Sequence, residues 1–180
     1  IMGTIGNRAS SEGISTYLVS GDKDLMQLIS DRIMLYTPGN RFKPTTIYGK
    51  SEVVEKWGVA PEKMIEFLAL LGDSSDNIPG VNGIGKKTAA KLLGEYGDIQ
   101  SIQKNIDNIK NKRVREGLLN GSDNLELAIK LITLDNNVDV DVDIKKLKRK
   151  TMDKETLSLF FNNLEIHSLS NQLEKISTDN

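Results

Sequence analysis

Four aspartates and one glycine-rich turn carry the chemistry that this sequence offers. Asp22 and Asp24 stand two apart in "SGDKDLMQLI", and Asp73 and Asp76 stand three apart in "LGDSSDNIPGVNGIGKKTAAKLL". Two close pairs of carboxylates suit hard divalent cations. Mg²⁺ and Mn²⁺ take oxygen ligands and keep several waters. In phosphoryl chemistry two such ions, about 3.5–4 Å apart, activate water and stabilise the leaving oxygen. Each pair also has a plainer explanation. Asp73 and Asp76 could cap a helix end and polarise a turn. Gly-Asp is ordinary turn chemistry, so "GDKD" could be a simple loop. It is the presence of both pairs, next to a turn suited to phosphate, that favours a site.

That turn, "GVNGIGKKTAAKLL", permits two functional readings. A P-loop asks for Gly, four residues, Gly-Lys, then Ser or Thr. Gly80, Gly85 and Lys86 comply, but residue 87 is lysine and the preceding segment reads as helix rather than strand. A helix–hairpin–helix fits better. Gly83 and Gly85 allow positive φ and close backbone approach. Ile84 between them would anchor the hairpin in the core. The helix opening at Lys86 would present free N–H groups and a positive dipole end to a DNA phosphate, with no base being read. Lys86, Lys87 and Lys91 would add charge. The competing explanation is a plain helical corner with solvated lysines.

Other candidates are weaker. Asp139, Asp141 and Asp143 start like an EF-hand loop, but Ile144 replaces its glycine and Lys150 its glutamate. An exposed extended segment is expected there. His167 has no partner in the sequence, and Trp57 reads as core packing at a helix end.

The elements that must hold these residues follow from pattern. "IMGTIGNRASSEG" reads as the tail of a helix ending at Gly13. "STYLVSGD" reads as a buried strand that delivers Asp22 at its C-terminal end, where open α/β sheets place their sites. If extended geometry persists, Asp22 and Asp24 share a face. "KDLMQLIS" reads as a short helix, "RIMLYTP" as a strand, and "RFKPTTIYG" as extended. This order predicts an α/β sheet with parallel strands. From about residue 51 the pattern turns helical. "SEVVEKWG" has Ser51 as its N-cap, and "PEKMIEFLALLG" has Pro61 in its first turn. "KKTAAKLLGEYG", "NLELAIKLITL" and "DKETLSLFFNNL" follow. The three-residue spacing puts Asp73 and Asp76 on one face of a helical turn. An α/β part is thus followed by an all-helical part, joined near Gly58.

The 180 residues hold 24 Lys+Arg against 25 Asp+Glu, a formal net charge of −1. Binding to nucleic acid therefore requires basic groups segregated onto one face. The absence of cysteine excludes disulfides and thiolate metal sites. No apolar run approaches the roughly 20 residues of a membrane span, so no membrane partner is expected.

The strings "SGDKDLMQLI" and "LLGDSSDNIPGVNGIGKKTAAKLL", with the trailing helices, resemble the 5′-nuclease domain of bacterial DNA polymerases I. That domain belongs to the structure-specific 5′-nuclease, or flap endonuclease, family. The likeness extends over essentially the whole chain. It implies a PIN-like parallel sheet, incomplete here, in residues 1–58, the C-terminal part of the nuclease core. A SAM-like helical DNA-binding subdomain carrying the helix–hairpin–helix would occupy 59–180. It implies that Asp22, Asp24, Asp73 and Asp76 are catalytic ligands of Mg²⁺ or Mn²⁺. Gly80, Gly83, Ile84, Gly85, Lys86, Lys87 and Lys91 would grip duplex DNA, with K⁺ held by hairpin carbonyls. Cleavage would fall at 5′ ends and flaps, in replication and repair within the bacterial cytoplasm, at the nucleoid. A covalently linked polymerase is an implied partner. Ile1 aligns after the family's Glu-Ala-Asp-Asp motif, so about half of the nuclease would be absent and the isolated chain nearly inactive. A non-catalytic helix–hairpin–helix module is the alternative.

Overall fold

Strand β1 (Thr16–Val19) pairs in parallel with β2 (Ile33–Thr37), with Leu18 opposite Leu35. The connection between them runs through a 3₁₀ helix, Lys23–Leu28, that buries Leu25, Met26 and Leu28. β3 (Thr46–Tyr48) pairs antiparallel with β2, with Tyr36 opposite Ile47. A parallel return needs a crossover of roughly a dozen residues or more. Residues 38–45 are too few, so the chain turns back on itself. The computed structural model describes residues 1–176.

Helix α1 (Met2–Ser11) packs on this small sheet, burying Ala9 and setting Gly6 against Leu18 of β1. It ends before Gly13, whose φ of 82° closes the turn. β1 is less buried than its composition suggests. Leu18 faces the core, while Tyr17 and Val19 are 53% and 59% exposed and, among the described residues, the outer edge of the strand is unpaired.

Helix α2 (Lys50–Trp57) begins one residue before Ser51. Gly49 takes the N-cap position and donates its N–H to Glu52 Oε2 at 2.8 Å. Gly58, at φ 78°, ends it. Trp57 then packs edge-on against Phe67 at 5.6 Å between centroids. Helix α3 (Met64–Leu71) is the centre of the first compact unit, Ile1–Val142. Met64, Phe67, Leu68, Ala69 and Leu70 are all fully buried. A helix with Glu66 as its one charged residue belongs largely inside a core, and each large buried side chain contributes about 2 kcal/mol. Helix α4 (Lys86–Tyr96) and, later, α7 (Ser122–Ile132) pack on α3.

Two helices of the first unit escape the sequence pattern, as does His167–Lys175 near the end of the chain. α5 (Ile99–Lys104) is capped by Asp98, which accepts the Ser101 N–H at 2.6 Å. α6 (Lys112–Asn120) is capped by Asn111, which accepts from Val114. Each is short and buries only two or three positions, so neither shows a long apolar stripe. The second unit, Asp143–Asn180, contains α8 (Lys154–Asn163) and α9 (His167–Lys175), which pack on each other. The Asp139–Asp143 run is irregular and its aspartates are exposed. Among the described residues, no helix is long and apolar enough to cross a membrane.

Candidate functional site

The end of β1 and the end of α3 bring their acidic residues together. Asp24, Asp73 and Asp76 each offer a carboxylate oxygen, and these oxygens lie within 4.8 Å of one another. Asp24 is fixed by the first turn of the 3₁₀ helix. Asp22 is that helix's N-cap, and its Oδ1 accepts the Asp24 N–H at 2.9 Å. The chain is therefore turned, not extended, between Asp22 and Asp24. Asp24 enters the cluster and Asp22 stands behind it as a cap.

Asp73 and Asp76 converge by a different geometry from a helical turn. Gly72, at φ 83°, ends α3 one residue earlier. A tight loop follows, closed by the pair Asp73 N–H to Ile78 O at 2.9 Å and Ile78 N–H to Asp73 O at 2.8 Å. Inside it, Asp73 Oδ1 accepts the Ser75 N–H at 3.0 Å, and Asn77 takes φ 55°. The loop presents Asp73 inward and leaves Asp76 exposed.

Lys23, between the two aspartates of the first pair, donates from Nζ to Asp73 Oδ2 at 2.5 Å. Burial alone would raise the Asp73 carboxyl, but the Lys23 ammonium and the Ser75 N–H outweigh it and hold it below its ordinary value. Burial would lower the Lys23 ammonium, and its bond to Asp73 raises it instead. Asp24 gains only part of that relief, from the nearby Lys23 charge. Burial first, then the Asp22 carboxylate, push it up to about 6. Its Oδ1 is buried and, among the described residues, has no hydrogen-bond partner.

An orphaned buried carboxylate oxygen, facing two further carboxylates, fits a hard cation. Three oxygen donors without histidine or cysteine suit a Mg²⁺- or Mn²⁺-type ion. Lys23 is the charged group that sequence reading passed over, because a lysine between two aspartates in a turn reads as solvated.

The hairpin is joined to the same loop. Val81 donates its N–H to Leu70 O at 2.9 Å, and Gly80 lies so close to the end of α3 that a Cβ there would collide with the Leu71 carbonyl. Ile84 is buried, as expected, and holds the hairpin down. Gly83 has φ 85°, but Gly85 does not share it: at φ −106° it is the N-cap of α4. A Cβ on Gly85 would meet nothing within 4 Å, and no side chain caps the helix. The first turn of α4 is therefore bare backbone, open to an approaching anion.

The lysines differ in their surroundings. Lys86 Nζ lies over the Trp57 ring at 5.2 Å. Lys87 and Lys91 line a groove of about 450 Å³, whose facing wall carries Asn108, Lys110 and Asn111. Arg113 donates to Asn82 Oδ1 at 3.3 Å, beside the hairpin. Lys110 and Arg113 extend the basic surface beyond the segment that the motif covers. They belong to the stretch around α6 that the sequence pattern left unassigned.

Residues 59–155 match the family model described as "5′-3′ exonuclease, C-terminal SAM fold", and residues 1–58 match "5′-3′ exonuclease, N-terminal resolvase-like domain". The thermostable DNA polymerase I of Thermus filiformis is 38% identical over 169 residues, 94% of this chain and 20% of the relative. The 5′-3′ exonuclease of Aquifex aeolicus is 33% identical over 176 residues, 98% of this chain and 58% of the relative. The chain thus spans about a fifth of that polymerase and little more than half of that exonuclease.

Among solved structures, a T5 5′-exonuclease with bound divalent metal ions (zinc) aligns with a TM-score of 0.60 at 24% identity, over 73% of this chain and 48% of that one. The catalytic core of Rad2 aligns with a TM-score of 0.65 at 17% identity, over 96% and 63%. These two likenesses are of fold.

Proposed function

This chain belongs to the 5′-3′ exonuclease family, and from that premise we propose that it carries part of the centre of a structure-specific 5′-nuclease. Its substrate is duplex DNA with a 5′ end or flap, its reaction is divalent-metal-assisted phosphodiester hydrolysis, and its setting is DNA replication and repair. The observation that carries this reading is the convergence of Asp24, Asp73 and Asp76, with Asp24 Oδ1 left unpartnered. Asp24, Asp73 and Asp76 hold Mg²⁺ or Mn²⁺, and Asp22 supports them from the N-cap. Such ions, when bound, polarise phosphoryl oxygens and make water more acidic. The chain's own residues then position the substrate. The bare first turn of α4 and the hairpin receive a phosphate of the duplex, and Lys87 and Lys91 add long-range attraction. The family resemblance adds K⁺ at the hairpin carbonyls, which predicts weaker duplex binding in Li⁺ than in K⁺.

Three gathered carboxylates, one already paired to Lys23, are few ligands for two ions. Further carboxylates therefore come from the rest of the parent protein, and the isolated chain cleaves little. The unpaired edge of β1 offers a place for more sheet. A polymerase in the same parent protein is proposed on the likeness to the polymerases I.

The Lys23–Asp73 pair favours a second reading, in which the carboxylates are structural and the chain is a non-catalytic helix–hairpin–helix module. A cleavage assay on a 5′-flap duplex separates the two. The parent protein should cut in Mg²⁺ and stop in chelator. No cleavage at any divalent concentration would leave only the second reading.

A further inference from the structure

The acidic cluster already holds a cation of its own. Lys23 Nζ reaches Asp73 Oδ2 at 2.5 Å, where the Asp73 side chain is 3% exposed and the Lys23 side chain 29%. Carboxylates gathered within 4.8 Å repel one another. The turn hydrogen bonds fix their backbone, and the ammonium offsets part of their charge. It does so unequally. Asp73 is satisfied twice over, by Lys23 and by Ser75, while Asp24 Oδ1 has no partner.

Both Asp73 oxygens are engaged, Oδ2 by Lys23 and Oδ1 by the Ser75 N–H, so a divalent ion that takes all three carboxylates meets the Lys23 ammonium at Asp73. Lys23 can vacate it. Its ammonium is a point charge on a flexible stem, and its partial exposure leaves a way out to water.

We propose that Lys23 is the cluster's resident counter-cation, which holds Asp73 while no metal is bound and yields it when metal arrives, so that it lowers the metal affinity of a site it keeps assembled. This rests on the metal-binding reading given above. Lys23 is on this account a positioning residue. It stabilises the metal-free protein and competes with the metal, two effects of opposite sign on removal.

Lys23→Met keeps the stem and removes the charge. Titration of the 180-residue chain with Mn²⁺ alone, by calorimetry, should show binding tightened about three- to tenfold, the displacement of one partly exposed ion pair. The metal-free Tm should fall, and the gain in Tm on saturation with Mn²⁺ should exceed that of the wild type. Equal or weaker Mn²⁺ binding by a folded Lys23→Met protein overturns the proposal. If Lys23→Met does not fold, the wild type decides. The Lys23 ammonium ¹⁵N resonance should move as Mg²⁺ is added, and an unmoved resonance at saturating Mg²⁺ overturns the proposal. If the 180-residue chain binds no Mn²⁺, the same comparison is made in the parent protein; if that binds none either, the metal reading itself falls and takes this inference with it. Wild-type binding that Lys23→Met leaves unchanged removes this inference alone.

Discussion

Asp24→Asn should make the metal-free protein more stable at neutral pH. Burial, chiefly, and then the Asp22 carboxylate raise the Asp24 carboxyl from 3.8 to about 6. A raised value means that the folded protein binds this proton more tightly than the unfolded chain does. Asp24 therefore favours the fold below about pH 3.8, and that contribution is lost as pH rises through about 6. The distance between the two values corresponds to roughly 3 kcal/mol. Asp24 is only partly buried, and solvent screening reduces the effect to about 1 kcal/mol. Asparagine keeps the shape and removes the charge. For a chain of this size that means a Tm higher by about 2–4 °C near pH 7.5. The Lys23–Asp73 pair does not obscure the effect. Asp73 is held below 3.8 and Lys23 above 10.5, so neither titrates between them. The assay is thermal unfolding in excess chelator across about pH 4–8. The advantage of asparagine should be widest at the alkaline end and close at the acidic end. A variant less stable than the wild type at neutral pH, or a gap that ignores pH, would refute the reasoning.

Mn²⁺ affinity should be nearly flat above about pH 7 and fall about tenfold between about pH 7 and pH 5, since Asp24 must lose its proton to bind; calorimetry shows it, and a pH-independent affinity would count against the site. Gly80→Ala should destabilise the protein by more than about 2 kcal/mol, because its Cβ meets the Leu71–Gly72 peptide, which is backbone and cannot swing aside. Urea unfolding measures this, and a midpoint unchanged from the wild type would contradict the close approach. Lys87→Glu in the parent nuclease should weaken duplex binding and make its salt dependence shallower by about 0.9 for each phosphate no longer neutralised, with cleavage largely restored at saturating DNA. A strong preference for one base sequence over its scramble would argue against backbone-driven binding.

Much of the site was legible because its residues sit at punctuation that the chain cannot avoid. Strand β1 ends at Val19, just before Ser20-Gly21-Asp22, and α3 ends before Gly72, so acidic residues after those points fall at element ends. The hairpin was legible for the same reason, with Ile84 buried between glycines. What the pattern missed depends on tertiary structure. The Asp73–Ile78 loop is closed by backbone bonds that a three-residue spacing also fits as a helical turn. Gly85 needs no positive φ, and its openness is visible only in space. β3 runs antiparallel because its connection is short, whereas apolar composition says nothing of direction. Lys23 pairs with a residue fifty positions away, beyond any local signal.

On the proposed function, Asp24 and Asp73 act in cleavage and not in holding DNA. The measurement is the single-turnover rate on a 5′-flap duplex in Mg²⁺, for the parent protein and its Asp24→Asn and Asp73→Asn variants, at DNA concentrations that saturate binding. Both variants should bind the duplex as well as the wild type or slightly better, with less negative charge facing phosphate, and should cut slower by orders of magnitude. A saturated rate equal to the wild type's in either variant would contradict the account.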